Sequence, residues 1–209
     1  MENTLVAFLI SAIISLSMTP VAKKIAVRVG AVDIPKDERR VHKKPMPLMG
    51  GLAIFISVLV SSLIFLPIDK TLISIIIGSS IIFISGVIDD IRGLSPKGKL
   101  IFQILASIVL ILGDVKIDAI TNPFGAPGTV LSLGMFSIPI TIFWVVGITN
   151  TLNLIDGLDG LAAGVAMIAS LSFLFVANKF NYIPVVIISA IVAGACLGFL
   201  LYKFKPAKI

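Results

Sequence analysis

The chain has 209 residues, 57% of them apolar or aromatic and 13% charged, with a mean hydropathy of +1.11. Soluble domains carry about 25% charged residues and disordered chains pair low hydrophobicity with high charge, so both classes are excluded and an integral membrane protein remains. The 17 Lys and Arg outnumber the 11 Asp and Glu for a net charge of +6, but in a membrane protein the position of the charges carries the information, and nucleic acid is not an expected partner.

Apolar runs of spanning or near-spanning length lie at about 5–22, 48–67, 71–88, 100–112, 135–149, 161–177 and 183–202. They predict an all-α, polytopic fold of seven transmembrane helices. The first run follows Met1, Glu2, Asn3 and Thr4, without the basic start of a secretory signal, and leads into Lys23 and Lys24 where a cleavage site would stand. It reads as an uncleaved anchor. The run at 100–112 is short, and Gln103 within it allows a re-entrant segment instead of a crossing. Between 113 and 134 the Gly, Pro and alternating pattern predicts a short hairpin or irregular loop. No internal repeat or separating linker is visible, so residues 1–209 read as a single transmembrane domain. Cys196, the single cysteine, can form no internal disulfide, and His42, the single histidine, excludes an internal histidine cluster.

Lys and Arg mark the cytoplasmic side, which tests the uncertain run. Seven crossings with the N-terminus outside place 14 of the 17 basic residues inside: eight between 23 and 47, three between 91 and 99, and Lys203, Lys205 and Lys208 at the tail. Only Lys70, Lys116 and Lys179 then lie outside. If 100–112 turned back, the tail would move outside while Lys116 and Lys179 moved in, a poorer fit. The seven-span topology also gathers Asp89, Asp90 and the 150–159 segment on the cytoplasmic face with the long basic loop.

Asp89 and Asp90 follow an apolar run without a polar spacer, where hydrocarbon meets water. Two solvated acids at a helix end are the plainer reading. Adjacent carboxylates repel, however, and a divalent cation or a shared proton relieves them. Asn150, Asn153, Asp156 and Asp159 recur at a spacing of three, and on a helix each such step turns the side chain by about 60°, so neighbours share a face. Asn153 and Asp156 can hold one ligand together, while Gly157 and Gly160 permit close backbone approach or a helix break. A turn or cap is the alternative, and a polar stripe between two apolar spans argues against it. The basic loop carries Arg39, Arg40, His42, Lys43 and Lys44 before Pro45, Pro47 and the pair Gly50-Gly51. Most such loops set topology or touch anionic lipid, but here the prolines and glycines stiffen a cationic stretch against the next span, which suits a site that holds phosphates. One membrane face thus offers hard oxygen ligands suited to Mg²⁺, a phosphate-attracting loop and access from the bilayer, parts that fit a phosphorylated lipid meeting a cytosolic phosphate ester.

In four blocks the sequence resembles the polyprenyl-phosphate N-acetylhexosamine-1-phosphate transferase family (glycosyltransferase family 4): DERRVHKKPMPLMGG at 37–51, GVIDDIRGLSPKGKL at 86–100, NTLNLIDGLDGLAAG at 150–164 and FKPAKI at 204–209. The stretch RVHKKP is more like the undecaprenyl-phosphate N-acetylglucosaminyl 1-phosphate transferase branch than the phospho-N-acetylmuramoyl-pentapeptide transferase branch, which stays as the alternative. The resemblance implies transfer of a sugar-1-phosphate from a UDP-N-acetylhexosamine to undecaprenyl phosphate with release of UMP, in the bacterial plasma membrane with the site facing the cytoplasm. It implies Mg²⁺ as cofactor, with Mn²⁺ as a substitute, and a homodimer as one expected assembly. By motif position it assigns Asp89 and Asp90 to the lipid phosphate as catalytic residues. Lys43, Lys44, Asn150, Asn153 and Asp156 go to substrate binding, and Asp156 and Asp159 to the metal. The family pattern continues past a PAKI-like stretch into a metal-ligating aspartate and a His-rich loop. The resemblance therefore implies that the main metal aspartate lies beyond Ile209 and that these 209 residues alone do not turn over. An ion-coupled transporter, whose acids would lie near the midplane, and a non-catalytic fragment are the competing classes.

Overall fold

The computed structural model describes residues 2–33, 46–126, 128–204 and 209. Among them run seven α-helices: α1 (Glu2–Val29), α2 (Gly51–Phe65), α3 (Lys70–Arg92), α4 (Pro96–Leu112), α5 (Ser137–Ile155), α6 (Leu161–Lys179) and α7 (Ile183–Lys203). Each coincides with one of the seven apolar runs. Five are long and apolar enough to cross a membrane: α1, α3, α5 with the single 3₁₀ turn before it, α6 and α7. The chain is a mostly helical, polytopic membrane protein. Two of the seven, α2 with 15 residues and α4 with 17, fall short of that length. Large apolar side chains such as Phe143, Phe173 and Phe175 are well exposed along these helices, as a lipid-facing surface requires.

Several helices outrun the apolar stretch that announced them. Helix α1 continues through Lys23, Lys24 and Arg28, so the first third of the basic segment is helix and not loop. Helix α3 continues through Asp89 and Asp90, and α5 through Asn150 and Asn153. Backbone hydrogen bonding carries a helix on into water after the hydrocarbon ends, which an apolar run cannot report.

By internal contacts the chain forms two compact units that alternate along it. One comprises Met1–Pro67, Gly86–Gly93 and Asn153–Ile209, the other Ile68–Ser85 and Leu94–Leu152. In the first, α7 packs against α1, α6 and α2. With no hydrophobic drive between helices in lipid, close backbone approach through small residues does the work. The buried face of α1 is Ala7, Ser11, Ser15, Thr19, Ala22 and Ala26, and opposite it stand Gly194 and Gly198 of α7, so near that a Cβ on either would collide with the carbonyls of Phe8 and Ala12. Serines tie this seam: Ser11 Oγ donates to the Ile191 carbonyl at 2.8 Å, and Ser57 Oγ of α2 to the Ser11 carbonyl at 2.6 Å. Towards the C-terminal end of α7 the core consists of Ala22, Ala53, Ala163, Phe199, Leu200 and Ile209.

In the second unit, Gly78 of α3 lies against Ala106 and Leu110 of α4. The expected hairpin is present, with β3 (Ala119–Thr121) paired antiparallel to β4 (Val130–Ser132) in the register Ala119 to Ser132. It is tied to the start of α5 by the Ile117 N–H donating to Thr141 Oγ1 at 2.9 Å and by Ser137 Oγ donating to Asp118 at 3.1 Å.

Candidate functional site

Asp89 and Asp90 are half-buried in the last turn of α3. The helix stops at Gly93, whose positive φ of 73° lets its N–H turn back to the Asp89 carbonyl at 2.9 Å, a left-handed C-terminal cap. Two residues before the pair, Val87 packs on the cluster Ala26, Ala31 and Met49, where α1 ends and α2 is about to begin. Between those points β1 (Val32–Asp33) pairs with β2 (Met46–Pro47), Val32 opposite Pro47 and Asp33 opposite Met46. This two-residue clasp is the stem of the basic segment, and α3 is anchored close to it through Val87, two residues before the acids. Lys43 and Lys44, together with His42, lie outside the described residues.

The four-residue polar stripe divides in two. Asn150 and Asn153 are on α5, but the helix ends at Ile155, and Asp156 and Asp159 fall in a turn before α6. Gly160 closes that turn at φ 72°, and it is buried: a Cβ there would meet Leu200 Cδ2 at 3.1 Å and the Lys203 carbonyl at 3.6 Å. The turn is therefore seated on the C-terminal end of α7. Asn153 and Asp156 are exposed and Asp159 is half-buried. Although Asp156 reaches solvent, the protein around its carboxyl desolvates it enough to raise its pKa, against the pull of the Lys203 ammonium, which lowers it.

Asn150 is otherwise engaged. Its Nδ2 donates to Gln103 Oε1 of α4 at 2.9 Å and to the Val146 carbonyl at 2.9 Å, while Gln103 Nε2 donates back to Asn150 Oδ1 at 3.2 Å. Neither Gln103 nor Lys203 was picked out from the sequence as part of a site. A lone Gln within an apolar run was the one available signal for Gln103, and nothing in the sequence pairs Lys203 with Asp156.

Asp89, Asp90 and Asp156 share an electrostatic oddity. They stand at the carbonyl ends of α3 and α5, where the helix dipole is negative and disfavours anions. Local negative potential of this kind favours cations. Among the described residues, though, no three His, Cys, Asp or Glu side chains are grouped so that they could hold a metal ion. Magnesium commonly takes only one or two carboxylates together with substrate phosphates and water, and Asp156 and Asp159, three residues apart in the turn before α6, are the carboxylates of this segment that would be available to it.

Comparison with known proteins gives a consistent picture. The family model for glycosyl transferase family 4 matches residues 72–209. A probable undecaprenyl-phosphate N-acetylglucosaminyl 1-phosphate transferase of Bacillus subtilis is 40% identical over all of this chain and 58% of its own length. A decaprenyl-phosphate N-acetylglucosaminephosphotransferase of Mycolicibacterium smegmatis is 35% identical over 96% of this chain and 53% of its own. A phospho-N-acetylmuramoyl-pentapeptide-transferase of Halalkalibacterium halodurans is 39% identical over 84% of this chain and 57% of its own. The chain spans somewhat more than half the length of these relatives.

Proposed function

The chain belongs to glycosyl transferase family 4, and from that premise we propose that it transfers a HexNAc-1-phosphate, N-acetylglucosamine-1-phosphate first among them, from a UDP-sugar to undecaprenyl phosphate with release of UMP. One observation carries the reading: Val87, two residues before Asp89, packs on the Ala26, Ala31 and Met49 cluster at the stem of the basic segment. Carboxylates on a helix that packs where the basic segment leaves α1 and rejoins α2 suit a reaction in which two phosphate groups of like charge must meet. The relatives at 40% and 35% identity, an undecaprenyl-phosphate N-acetylglucosaminyl 1-phosphate transferase and a decaprenyl-phosphate N-acetylglucosaminephosphotransferase, point the same way.

In the proposed reaction an oxygen of the lipid phosphate attacks the β-phosphorus of the UDP-sugar. The new P–O bond joins sugar phosphate to lipid phosphate, and the bond to the α-phosphate bridge breaks, its electrons leaving with UMP. A phosphate monoester loses its second proton near pH 6, so at neutral pH the lipid phosphate is already a competent nucleophile. Alignment and charge neutralisation are what the protein supplies. Asp89 and Asp90 orient the lipid phosphate and take up any remaining proton, Asn153 and Asp156 hold the nucleotide side, and Lys43 with Lys44 holds the diphosphate. We propose a single displacement with both substrates bound, and not a double displacement through a covalent aspartyl phosphate. Magnesium stays in the proposal as a requirement: Asp156 and Asp159 would hold it, and when bound it would neutralise charge on the phosphates that meet. The topology that accompanies this reading has seven crossings of the bacterial plasma membrane, the N-terminus outside and the site cytoplasmic.

Isotope exchange tests it. The purified full-length protein with undecaprenyl phosphate is expected to exchange labelled UMP into UDP-N-acetylglucosamine, and to do so poorly with the UDP-N-acetylmuramoyl-pentapeptide donor. Exchange with the pentapeptide donor alone would move the protein to the other branch. Exchange after the lipid phosphate has been stripped away would replace single displacement with a covalent intermediate.

A further inference from the structure

The amide pair between α4 and α5 takes up Asn150, which the family resemblance assigned to substrate binding, in a reciprocal polar contact between two helices. Gln103 lies in the middle of α4 and is 4% exposed. Both N–H groups of Asn150 are spent, one on Gln103 Oε1 and one on the Val146 carbonyl, and its Oδ1 already accepts from Gln103. The Val146 carbonyl can only accept, which settles which end of the Asn150 amide is nitrogen. So arranged, Asn150 has no donor left to offer a phosphate oxygen or a uracil carbonyl. Its partner Gln103 keeps a single spare N–H, inside a buried seam.

We infer that Gln103 is a positioning residue that acts through Asn150 to fix the axial rotation of α5, and that Asn150 serves as the α5 half of this clasp and not as a substrate contact. The role rests on the proposed function above. Along α5 the buried side chains are Ser137 and Thr141 alone, both in its first turns, where they are tied to Asp118 and Ile117. The reciprocal amide pair is the matching tie near the other end. One turn further on stands Asn153, on the same face of α5 as Asn150, and Asp156 follows the helix directly. Slipping the helix by one residue would turn both by about 100°. A buried amide that has lost its mate also seeks another partner, so removing Gln103 releases Asn150 to pull α5 towards one.

A double-mutant cycle in the full-length protein decides this, using Gln103→Leu, Asn150→Leu, the double Leu variant and the exchanged pair Gln103→Asn with Asn150→Gln. Thermal unfolding in detergent reads the clasp independently of activity, and kcat and KM for UDP-N-acetylglucosamine read the role. The single Leu variants are expected to lower kcat by about tenfold or more with KM altered less than about threefold, and the double variant to lose no more than the worse single one. The exchanged pair is expected to recover melting temperature and most of kcat. Additive effects on unfolding would overturn the clasp. Coupled unfolding with unchanged kcat in Gln103→Leu, or an exchanged pair with restored melting but a KM raised tenfold or more, would overturn the positioning role and return Asn150 to the substrate. Coupled unfolding in a parent protein that transfers no sugar phosphate would remove the functional reading, and the role with it, while leaving the clasp.

Discussion

Asp89 and Asp90 end a helix whose unpaired carbonyls already concentrate negative charge, at a cost of about 0.3–1 kcal/mol for each ionised acid. Asp90→Asn is expected to cut turnover by about 10² or more, because the lost charge is the one that handles phosphate. Asp156→Asn should lose activity similarly. Lys116, in an exposed pair with Asp118 at 3.4 Å, is the control, and Lys116→Ala should change little. Steady-state rates at matched protein levels decide, and near-normal turnover in both aspartate variants would contradict the assignment. Asp156 also makes a prediction about pH. Its raised pKa means that its contribution to stability is complete below the ordinary carboxylate range and is lost as pH climbs through the raised value. Lys203→Met removes the cation that holds this pKa down, so the acid limb of kcat/KM should move to higher pH. A limb that stays in place would separate turnover from the ionisation of Asp156.

At the scale of elements, the seam of α1 and α7 depends on glycine where the carbonyls of Phe8 and Ala12 leave no room. Gly198→Leu should force the two helices apart and sharply lower the yield of folded protein. Gly147, within α5, has nothing within 4 Å of where its Cβ would stand, so Gly147→Ala should be neutral or should stabilise by up to about 1 kcal/mol through helix propensity alone. Thermal unfolding of both variants tests the contrast, and equal losses would mean that the seam is not what Gly198 serves. Gly160 is different again. At φ 72° a Cβ costs about 1–2 kcal/mol in the backbone itself, and here it would also press on Leu200 beneath the turn that carries Asp156 and Asp159.

For the whole molecule, the proposed topology is tested by thiols at positions 97 and 118, which should react from opposite faces of the membrane. Cys196 is 2% exposed and leaves little background labelling. Reaction of both thiols from one side would sink the seven-span arrangement. How much of this was legible beforehand depended on contrast. In an apolar chain, Asp89, Asp90, Asn153 and Asp156 stand out because placing them at a membrane boundary costs free energy, and the seven helices stand out because lipid demands long apolar runs with every backbone group satisfied within the segment. The sequence by itself therefore marked the seven apolar runs on which the helices of the described residues lie, allowed a hairpin or an irregular loop between 113 and 134, and singled out the residues worth testing. It did not mark where α1, α3 and α5 end, since the helix continues after the hydrophobic signal stops, nor that the polar stripe breaks after Asn153 into a turn held down by Gly160 and Leu200. Only the tertiary structure decided that Gln103, noticed at first as a flaw in a span, faces Asn150 across 47 positions of sequence, or that Lys203 comes to act on Asp156. Pairings of this kind depend on how helices rotate and approach one another, and those degrees of freedom are set by small residues and close packing that hydropathy does not encode.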